Sequence, residues 1–453
     1  MFIILPNQLF DYLSKEYKYI LYEHPLYFSH SKRSDQFHIQ KLILHRASMK
    51  YYYDRMREKG YNIFYYEFKR SFDTKKITHM FTPSDKIIEE EFKHVSNIVD
   101  SPMFLHTLKD LSEYKGGLFH HTFKNWSIEK LKLSSLDIEK SHDEENRSKI
   151  SNDELDNVPT ITKWNNDKIN RSYIEEAIRY INTLKIKTYG SCPKPEDFLY
   201  PISRDYALKN LDLFIKNRFF HFGKYQDSIV SDQKESQYVL YHSFISSSLN
   251  NGLITPKDVI DRVKKQSIKN KIPINSYEGF LRQIIGWREY MRYCYEFHYK
   301  EIITSNYFSN NNSLDNKWYS NDKNVTGVDP VDECIVKAYN CGYLHHIERL
   351  MIILNWMTLN EIHPRDMYKW FMSCVSIDAY DWVMVSNIYI FSYAFNKASR
   401  KPYISSSSYV LKMSNYKKQD EWCQKWDNLY RKFLKNKKEK FRGTIYYTQA
   451  VKL

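Results

Sequence analysis

Short apolar runs and helix-like stretches alternate along the N-terminal part of the chain. Apolar or aromatic runs of strand length occur at 2–5, 61–68, 77–83 and 97–105. Between them, the spacing predicts a helix over 34–60, ended by Gly60, and another over 85–95, capped by Ser84 or Asp85. Because strands that alternate with helices form parallel sheets, the pattern predicts an α/β, Rossmann-like N-terminal domain.

After Leu131 the pattern changes. The stretch 134–159 is charged and almost free of large apolar side chains, which predicts a linker or a mobile insertion, and 187–201 carries three prolines. Helical spacing of apolar residues then recurs at 202–219, 236–252, 276–297 and 342–362. We therefore predict an α/β domain over 1–132, a linker region over 133–202 and an all-helical domain over 203–453.

Glycine content narrows the kinds of nucleotide site that the chain can contain. Only 11 of the 453 residues are glycine, and none of them form GxGxxG or GxxxxGK[ST]. A P-loop and a glycine-rich dinucleotide fingerprint are therefore absent from the sequence. Any nucleotide must be held in another way.

The charge balance favours a polyanionic partner. Lys and Arg number 68 and Asp and Glu 54, which gives a formal net charge of +14, and 431–443 is a basic C-terminal stretch. The chain is also rich in Lys, Asn, Ile and Tyr, as biased codon usage would make it. Nucleic-acid binding and a compositional origin of the charge both remain open at this point.

Other features of composition predict a soluble, intracellular protein, without resolving cytoplasm from nucleus. The N-terminus lacks the charged and apolar regions of a signal peptide, and no apolar run approaches the roughly 18 residues of a spanning helix. The six cysteines include no CxxC pair, so a zinc ribbon is unsupported and reduced thiols are expected.

The segment 342–351 places chemistry-bearing side chains on a predicted helix. His345 and Arg349 stand four residues apart and would share a face, while His346 would point about 100° away. A histidine beside an arginine can bind an anion or supply a proton. Paired histidines can equally belong to a buried polar cluster, and the pattern leaves both interpretations open.

Two further regions suit nucleotide chemistry. Asp378 and Asp381 stand among aromatic residues, which suits a flavin or base pocket, whereas a metal site is less favoured because no histidine stands at ligand spacing. The stretches 221–228 and 241–250 join small hydroxyl side chains to a predicted helix start. Such groups can bind a diphosphate without a glycine loop.

Six segments, taken in order, resemble the photolyase-related branch of the photolyase/cryptochrome family, which includes bacterial (6-4) photolyases and CryB-type cryptochromes. These segments are 37–52, 221–228, 241–250, 278–292, 342–351 and 370–383. With ILPNQLF at 4–10, the resemblance extends over about residues 2–434. The similarity of each segment alone is modest, but six similar segments in the right order are specific to the branch.

The resemblance implies an N-terminal α/β antenna domain and an all-helical C-terminal domain that binds FAD. The residues that match FAD-binding positions are Gly223, Tyr225, Asp227, His242, Ser243, Ser246, Gln283, Trp287, Arg288, Arg349, Asp378 and Asn387. His345 and His346 match the histidine pair at the lesion side, with His346 as the implied proton donor. Trp318 and Trp370 are the implied steps of electron transfer to the flavin.

The chain departs from the branch at two places. Many members hold a [4Fe–4S] cluster on four cysteines, but here Pro330 stands at the first position, no CxxC occurs around 415–419, and only Cys423 matches a ligand. A cluster needs its thiolates, so we expect none. In addition, Ser386 stands where the branch usually has proline before Asn387, which affects the loop beside the flavin.

The preferred hypothesis from the sequence is a FAD-dependent, light-driven DNA photolyase of the (6-4) type. The implied partner is UV-damaged DNA, with no membrane, a monomeric chain, and a lumazine or folate as antenna pigment. A cryptochrome-like photoreceptor without repair activity is the alternative. A degenerate relative that no longer binds flavin is the third interpretation.

Overall fold

The computed structural model describes residues 1–453 except 35, 71, 137, 165–166, 419–420 and 453. The N-terminal part contains a five-stranded sheet in the order β4-β2-β1-β5-β6, and every pairing in it is parallel. Its strands are β1 (Phe2–Ile4), β2 (Tyr19–Tyr22), β4 (Ile63–Tyr66), β5 (His79–Phe81) and β6 (Asn97–Val99). A separate parallel pair joins β3 (Phe37–His38) to β7 (Thr188–Tyr189). The predicted parallel sheet is therefore confirmed.

The strand β2 is the part of this sheet that the sequence pattern did not reveal. Its four residues, Tyr19–Tyr22, are all buried between β1 and β4, with Ile20 opposite Ile3 and Phe64. A strand covered on both faces lacks polar–apolar alternation, so a four-residue run cannot be separated from other short apolar runs.

Six helices accompany these strands up to residue 184. They are α1 (Ile39–Glu58), α2 (Lys86–Glu91), α3 (Leu108–Glu113), α4 (His120–Lys130), α5 (Asn152–Asp156) and α6 (Lys168–Leu184). Helix α1 begins later than the predicted 34–60, because the ring of His38 accepts the backbone N–H of Gln40 and caps the helix at that point.

The polar stretch 134–159 lies against the helical part of the chain. Helix α5 within it begins with a capping box in which Ser151 and Glu154 satisfy each other's backbone N–H groups. Ile150 and Val158 are buried in a small apolar cluster with Tyr225, and Asn146 is completely buried. A few apolar anchors thus hold a segment whose composition predicts a linker.

All described elements from Ser203 onward are helical, as predicted. The α-helices are α7 (Arg204–Asn217), α8 (Phe219–Tyr225), α9 (Ser246–Asn250), α10 (Pro256–Ser267), α11 (Ile274–Leu281), α12 (Arg288–Thr304), α13 (Asp329–Cys341), α14 (Asn355–Leu359), α15 (Pro364–Cys374), α16 (Asp381–Phe391), α17 (Ser407–Met413), α18 (Glu421–Asn436) and α19 (Ile445–Val451). Two π-helical segments, Arg282–Trp287 and Glu348–Leu354, precede α12 and α14. None of the described helices is long and apolar enough to cross a membrane.

A buried polar network joins the α/β part to the helical part. Arg33 donates to both carboxylate oxygens of Asp85, at 2.8 and 2.7 Å, and also to Asp381. The Tyr295 hydroxyl donates to Asp381 at 2.6 Å, and the hydroxyl oxygen of Tyr295 also accepts the backbone N–H of Lys86 at 2.9 Å. These contacts fix the start of α16 against the N-terminal sheet.

The Tyr295 hydroxyl is the member of this network that can be removed with the least change in shape. We expect Tyr295→Phe to lower the free energy of unfolding by about 1.5–3 kcal/mol, the usual contribution of a hydrogen bond to a charged group. Urea unfolding measures this. The matched control is Tyr299→Phe, one turn along α12, whose hydroxyl has no hydrogen-bond partner among the described residues. Equal losses in both variants would contradict the account.

Candidate functional site

A cavity opens between the helices of the C-terminal part. It has two adjoining chambers of about 300 and 690 Å³, within the usual size range of small-molecule sites. Gln283, His346, Arg349, Asp378 and Asn387 line both chambers. The structure therefore brings together side chains from three separate segments that the sequence singled out.

The two chambers differ in chemistry. The smaller one has an apolar wall that includes Phe222, Phe280, Ile284, Phe371 and Ile388. The larger one adds charged and aromatic side chains, and these are Asp143, Arg147, Arg282, Trp287, Arg288, Trp382, Lys401, Tyr403, Tyr409 and Tyr446. The smaller chamber suits a flat apolar ring, and the larger one suits a polar or charged ligand.

The ion pair between Arg349 and Asp378 lies at the junction of the chambers. Arg349 Nη1 and Nη2 donate to the two carboxylate oxygens of Asp378 at 2.9 and 3.0 Å, and Nε donates to the carbonyl of Leu344 at 2.6 Å. Burial opposes the charge on Arg349, but Asp378 outweighs burial and raises the arginine pKa. A two-point pair of this kind fixes both side chains in one orientation.

Arg288 extends the same arrangement toward the larger chamber. It donates to Asn250 Oδ1 at 2.6 Å, and the Asn250 amide in turn donates to the backbone carbonyl of Asp378 at 2.8 Å. Because Arg288 lies among protein atoms without a carboxylate in contact, burial lowers its pKa to about 10. Its Nε is buried without a partner among the described residues, so this wall of the cavity has unused hydrogen-bonding capacity.

His346 faces the cavity, as predicted for a residue that contacts a ligand. Its ring lines both chambers and is exposed to solvent inside them. Surrounding protein atoms, together with the positive charge of Arg349 and the ring of His345, lower its pKa to about 4. At neutral pH the imidazole is therefore neutral, and it can donate only through its single N–H.

His345 lies elsewhere, and the prediction that it shares a helix face with Arg349 is wrong. The helical turn starts only at 346, and the backbone N–H of His345 donates to Glu348 Oε2 at 2.9 Å. Its ring is buried, stacks on His242 at 4.6 Å, and lines neither chamber. His345 therefore supports the site from behind and does not face a ligand.

The loop before α9 contributes His242 and Ser243 to the smaller chamber, and Ser246, the first residue of α9, lines both chambers. His242 is fixed by the carbonyls of Val239 and Gln226, at 3.2 and 3.1 Å, and burial lowers its pKa to about 3. Phe244 has a φ of +54°, which is costly for a side chain of its size. Strain of this kind persists where the surrounding structure fixes a loop for binding.

The segment 221–228 contributes less than the sequence predicts, because its helix turns two of the three matched residues away. Gly223 packs against the backbone of Ser276, and a Cβ there would lie 2.8 Å from that nitrogen. Tyr225 donates its hydroxyl to Glu154 and packs in the small apolar cluster. Of the three, only Asp227 lines the cavity, where it accepts the Tyr409 hydroxyl at 3.1 Å.

Asp227 is expected to make stability depend on pH. Burial, with a contribution from Asp143, raises its pKa to about 6. Since an unfolded aspartate has a pKa of about 3.9, the folded chain keeps a proton that the unfolded chain loses. This contribution to stability therefore falls between about pH 4 and pH 6 and is constant above.

The variant Asp227→Asn removes this dependence. Without flavin, the stability of the variant relative to the unmodified chain should rise by roughly 1–2 kcal/mol between pH 4 and pH 7.5, less than the full two-unit value because the carboxylate is only partly buried. Urea unfolding of both proteins at the two pH values measures the change. A difference independent of pH would contradict the raised pKa.

The remaining predicted contacts lie where a ligand could reach them. Trp287 lines the larger chamber and stacks on His120 at 3.7 Å with an angle of 9°. Asn387 is oriented by a hydrogen bond from its amide to the carbonyl of Val383 at 2.7 Å. Ser386, which replaces the proline of the branch, donates to the carbonyl of Met291 at 2.7 Å and so joins α16 to α12.

The two predicted electron-transfer tryptophans contact each other but do not line the cavity. Trp318 and Trp370 meet edge to face at 5.7 Å, and the indole N–H of Trp370 donates to the carbonyl of Trp318 at 2.9 Å. Trp370 also contacts Phe371 at 5.1 Å, and Phe371 lines the smaller chamber. The pair therefore lies one aromatic ring from the cavity wall.

Trp382 and Tyr446 are cavity residues that sequence reasoning did not select. Trp382 follows Asp381 directly, and its ring lies 4.8 Å from the Arg288 guanidinium, with an indole N–H that has no partner among the described residues. Its place beside two acids was a usable signal. Tyr446 comes from the C-terminal helix α19 and donates to the carbonyl of Pro402 at 3.2 Å, a placement that only the tertiary fold determines.

The donor set fits FAD. An apolar chamber adjoins a polar one, two buried donors (Arg288 Nε and the Trp382 indole N–H) lack partners among the described residues, and a strained hydroxyl-bearing loop borders the smaller chamber. A ligand with a flat ring system and a charged diphosphate matches these features.

The residues do not fit an iron–sulfur cluster. Pro330, Cys334 and Asn415 line a separate cavity of about 770 Å³. Among its described lining residues, Cys334 is the single cysteine, and its neighbours include the acids Asp332 and Glu333. Among the residues that the structure describes, no group of three or more His, Cys, Asp or Glu side chains is arranged to hold a metal ion. Gln419, at the end of the matched stretch, lies outside the described residues.

Comparison with known proteins shows that the sequence of this chain is similar to photolyases. The family model described as deoxyribodipyrimidine photo-lyase-related protein matches residues 2–196. The (6-4) photolyase of Agrobacterium fabrum is 30% identical over 319 residues, which are 66% of this chain and 60% of that relative. The chain thus matches less than two thirds of the length of this curated relative.

Solved structures show the same fold. A cryptochrome of Synechocystis superposes with a TM-score of 0.54 at 13% identity, covering 93% of this chain and 83% of the other. An archaeal photolyase of Sulfolobus tokodaii, solved with two FAD molecules, gives 0.51 at 12% identity, covering 100% and 93%. These findings show that the chain has the photolyase/cryptochrome fold, and its sequence is similar to the photolyase-related branch of that family.

Proposed function

We propose that this protein is a FAD-dependent, light-driven DNA photolyase that repairs (6-4) pyrimidine photoproducts. The observation that carries the proposal is the cavity, in which the Arg349–Asp378 pair and the exposed ring of His346 meet. The similar protein of Agrobacterium fabrum is named a (6-4) photolyase. The cavity is also the place where the fold of this family would hold its cofactor.

The residues proposed to hold FAD line the smaller chamber, and all of them except Ser243 line the larger one as well. Ser243 and Ser246 would donate to the diphosphate, while Arg349, Asp378 and Asn387 would orient the ring system through polar contacts. When bound, FAD supplies light absorption and an electron for the lesion. The protein contributes orientation and the exclusion of water by the apolar wall.

His346 is proposed as the proton donor to the lesion. Its ring opens into the cavity next to Arg349, and burial together with that positive charge lowers its pKa to about 4 and keeps the imidazole neutral in the free chain. A DNA backbone brings negative charge, which opposes the effect of Arg349 and favours the protonated ring. His345, buried and stacked on His242, keeps the neighbouring backbone in place and is proposed as a positioning residue.

The larger chamber is proposed to receive a base flipped out of damaged DNA. Arg147, Arg282 and Lys401 line it together with Asp143, which accepts from Arg282 at 2.8 Å and from Arg147 at 3.5 Å. The three cations outweigh this carboxylate, which suits the phosphates that flank a lesion. Trp287 and Trp382 offer aromatic faces to a base. Flipping costs least for bases that are already unpaired, and a lesion provides such bases.

Several finer points belong to the same proposal. We expect the chain to act as a monomer on UV-damaged DNA, with a lumazine or folate as antenna pigment and with electrons that pass through Trp318 and Trp370. We also expect no iron–sulfur cluster, because the cavity at Cys334 carries carboxylates and amides where a cluster needs thiolates.

One observation favours the alternative, a light sensor without repair. Tyr446 of the C-terminal helix α19 lines the larger chamber, so a change at the flavin could reach the basic C-terminal segment. In a photoreceptor, light would alter the protease sensitivity of 431–453. In a photolyase, DNA binding would change with UV damage, and light would leave the tail unaffected.

The proposal is tested by repair of an oligonucleotide that carries one (6-4) photoproduct, in blue light and in the dark. We expect restored thymines in light only, with an oligonucleotide that carries a cyclobutane dimer as the matched control. A reduced, FAD-loaded protein that restores no thymine would contradict the proposal.

A further inference from the structure

Lys41 is a buried cation at the boundary between the α/β part and the cavity. It stands in the first turn of α1, is 1% exposed, and donates to the carbonyls of Ser376, at 3.0 Å, and Ala379. Its ammonium lies 4.1 Å from the centroid of the Tyr380 ring. Among the described residues, no carboxylate pairs with it.

The carbonyls that Lys41 contacts stand on either side of Asp378 in the chain. They belong to the loop 375–380 between α15 and α16, which carries Asp378 into both chambers. His45, one turn along α1, contacts the Tyr380 hydroxyl at 2.9 Å. The loop is therefore held from outside by α1, while Arg349 pairs with Asp378 from the cavity side.

The charge of Lys41 is costly at this position. Burial lowers its pKa to about 7, and Asp378 is the group that opposes this effect. An apolar side chain of similar length would fill the space without the cost of desolvating an ammonium. A buried, unpaired cation is therefore more than a packing element.

Asp378 is surrounded by positive charge. Lys41, Arg288 and Arg349 each interact electrostatically with this carboxylate. Arg349 pairs with Asp378, so Arg288 in the larger chamber and the protonated form of Lys41 behind the loop add positive potential at this wall of the cavity. A positive wall favours a negatively charged ligand over a neutral one of the same shape.

We propose that Lys41 is a positioning residue of the flavin site, which fixes the backbone on both sides of Asp378 and adds the charge that favours anionic reduced flavin over neutral oxidised flavin. The inference rests on the proposed function, because it requires FAD in the cavity. It assigns a role at the cofactor to a residue of the α/β part.

Two variants separate the hydrogen bonds of Lys41 from its charge. Lys41→Met removes both, whereas Lys41→Gln keeps a donor for a carbonyl but removes the charge. The matched control is Lys50→Met on the same helix, whose ammonium contacts the rings of Tyr53 and Tyr65 and lies away from the loop. Affinity for oxidised FAD is measured by flavin fluorescence, and the midpoint potential by spectroelectrochemistry.

Loss of the charge should reduce the preference for reduced over oxidised FAD about tenfold in both variants, which lowers the midpoint potential by about 30 mV for a two-electron couple. Affinity for oxidised FAD should fall about tenfold in Lys41→Met and less in Lys41→Gln, because only the second keeps a hydrogen bond to the loop. Lys50→Met should match the unmodified protein in both measurements.

An unchanged potential in either Lys41 variant would overturn the inference, even if FAD affinity had fallen. Failure of both variants to fold would also overturn it, since Lys41 would then serve the fold alone. If the unmodified chain binds no FAD, the proposed function fails first. An unmodified chain that binds FAD, with variants of unaltered potential, refutes the role of Lys41 alone.

Discussion

The variant His346→Ala is expected to lose roughly 100-fold or more of its (6-4) repair rate in blue light, the usual effect of removing a general acid. The ring opens into both chambers and forms no part of the Arg349–Asp378 pair, so FAD should remain bound. Repair is measured as restored thymine per absorbed photon, with FAD content determined on the same sample.

Two control variants make this result specific. His346→Gln keeps a polar side chain of similar size but cannot carry the proton, so its repair should fall as far as that of the alanine variant. His121→Ala, on the exposed surface of α4, should repair normally. If His346→Ala repairs at the unmodified rate with a full FAD load, its role as proton donor is wrong.

Replacement of Arg349 by methionine is expected to have the largest effect on the cofactor. It leaves Asp378 as a buried carboxylate without its two-point partner, and breaking such a pair costs about 3–5 kcal/mol of stability. The loop 375–380 would lose its contact on the cavity side, and FAD should no longer survive purification. Urea unfolding and the flavin content of the purified protein measure the two effects.

The double variant Arg349→Met with Asp378→Asn separates stability from binding. Removing the stranded charge should restore much of the lost stability, because the cost arises mainly from the unpaired carboxylate. FAD binding should remain lost, since neither polar contact is rebuilt. A double variant that retains FAD like the unmodified protein would show that the pair does not hold the cofactor.

The local pattern of apolar runs in the sequence was sufficient to predict four of the five strands of the sheet, but not the fifth. The runs around β1, β4, β5 and β6 are separated by helices and turn residues, so their strand character is visible in the sequence. Strand β2 is a four-residue run buried on both faces. Its place between β1 and β4 is determined by pairing partners that are distant in the chain.

The matched segments predicted the positions of the site residues less accurately than the sequence pattern predicted the fold. Gly223 and Tyr225 lie in helix α8 and pack away from the cavity, whereas Asp227, just after the helix, lines it. Residue identity alone cannot show which of the three faces the cavity. His345 falls outside its predicted helix because its own backbone N–H is satisfied by Glu348. Lys41 contacts the loop 375–380 only because the tertiary fold packs α1 against that loop.

The most direct test of the account is the flavin content of the purified chain after reconstitution with FAD. The cavity geometry predicts a yellow protein with the visible absorption bands of a bound flavin, about one FAD released per chain on denaturation, and loss of that flavin in Arg349→Met. A protein that stays colourless after reconstitution, or that keeps its FAD equally well without Arg349, would contradict the assignment of this cavity.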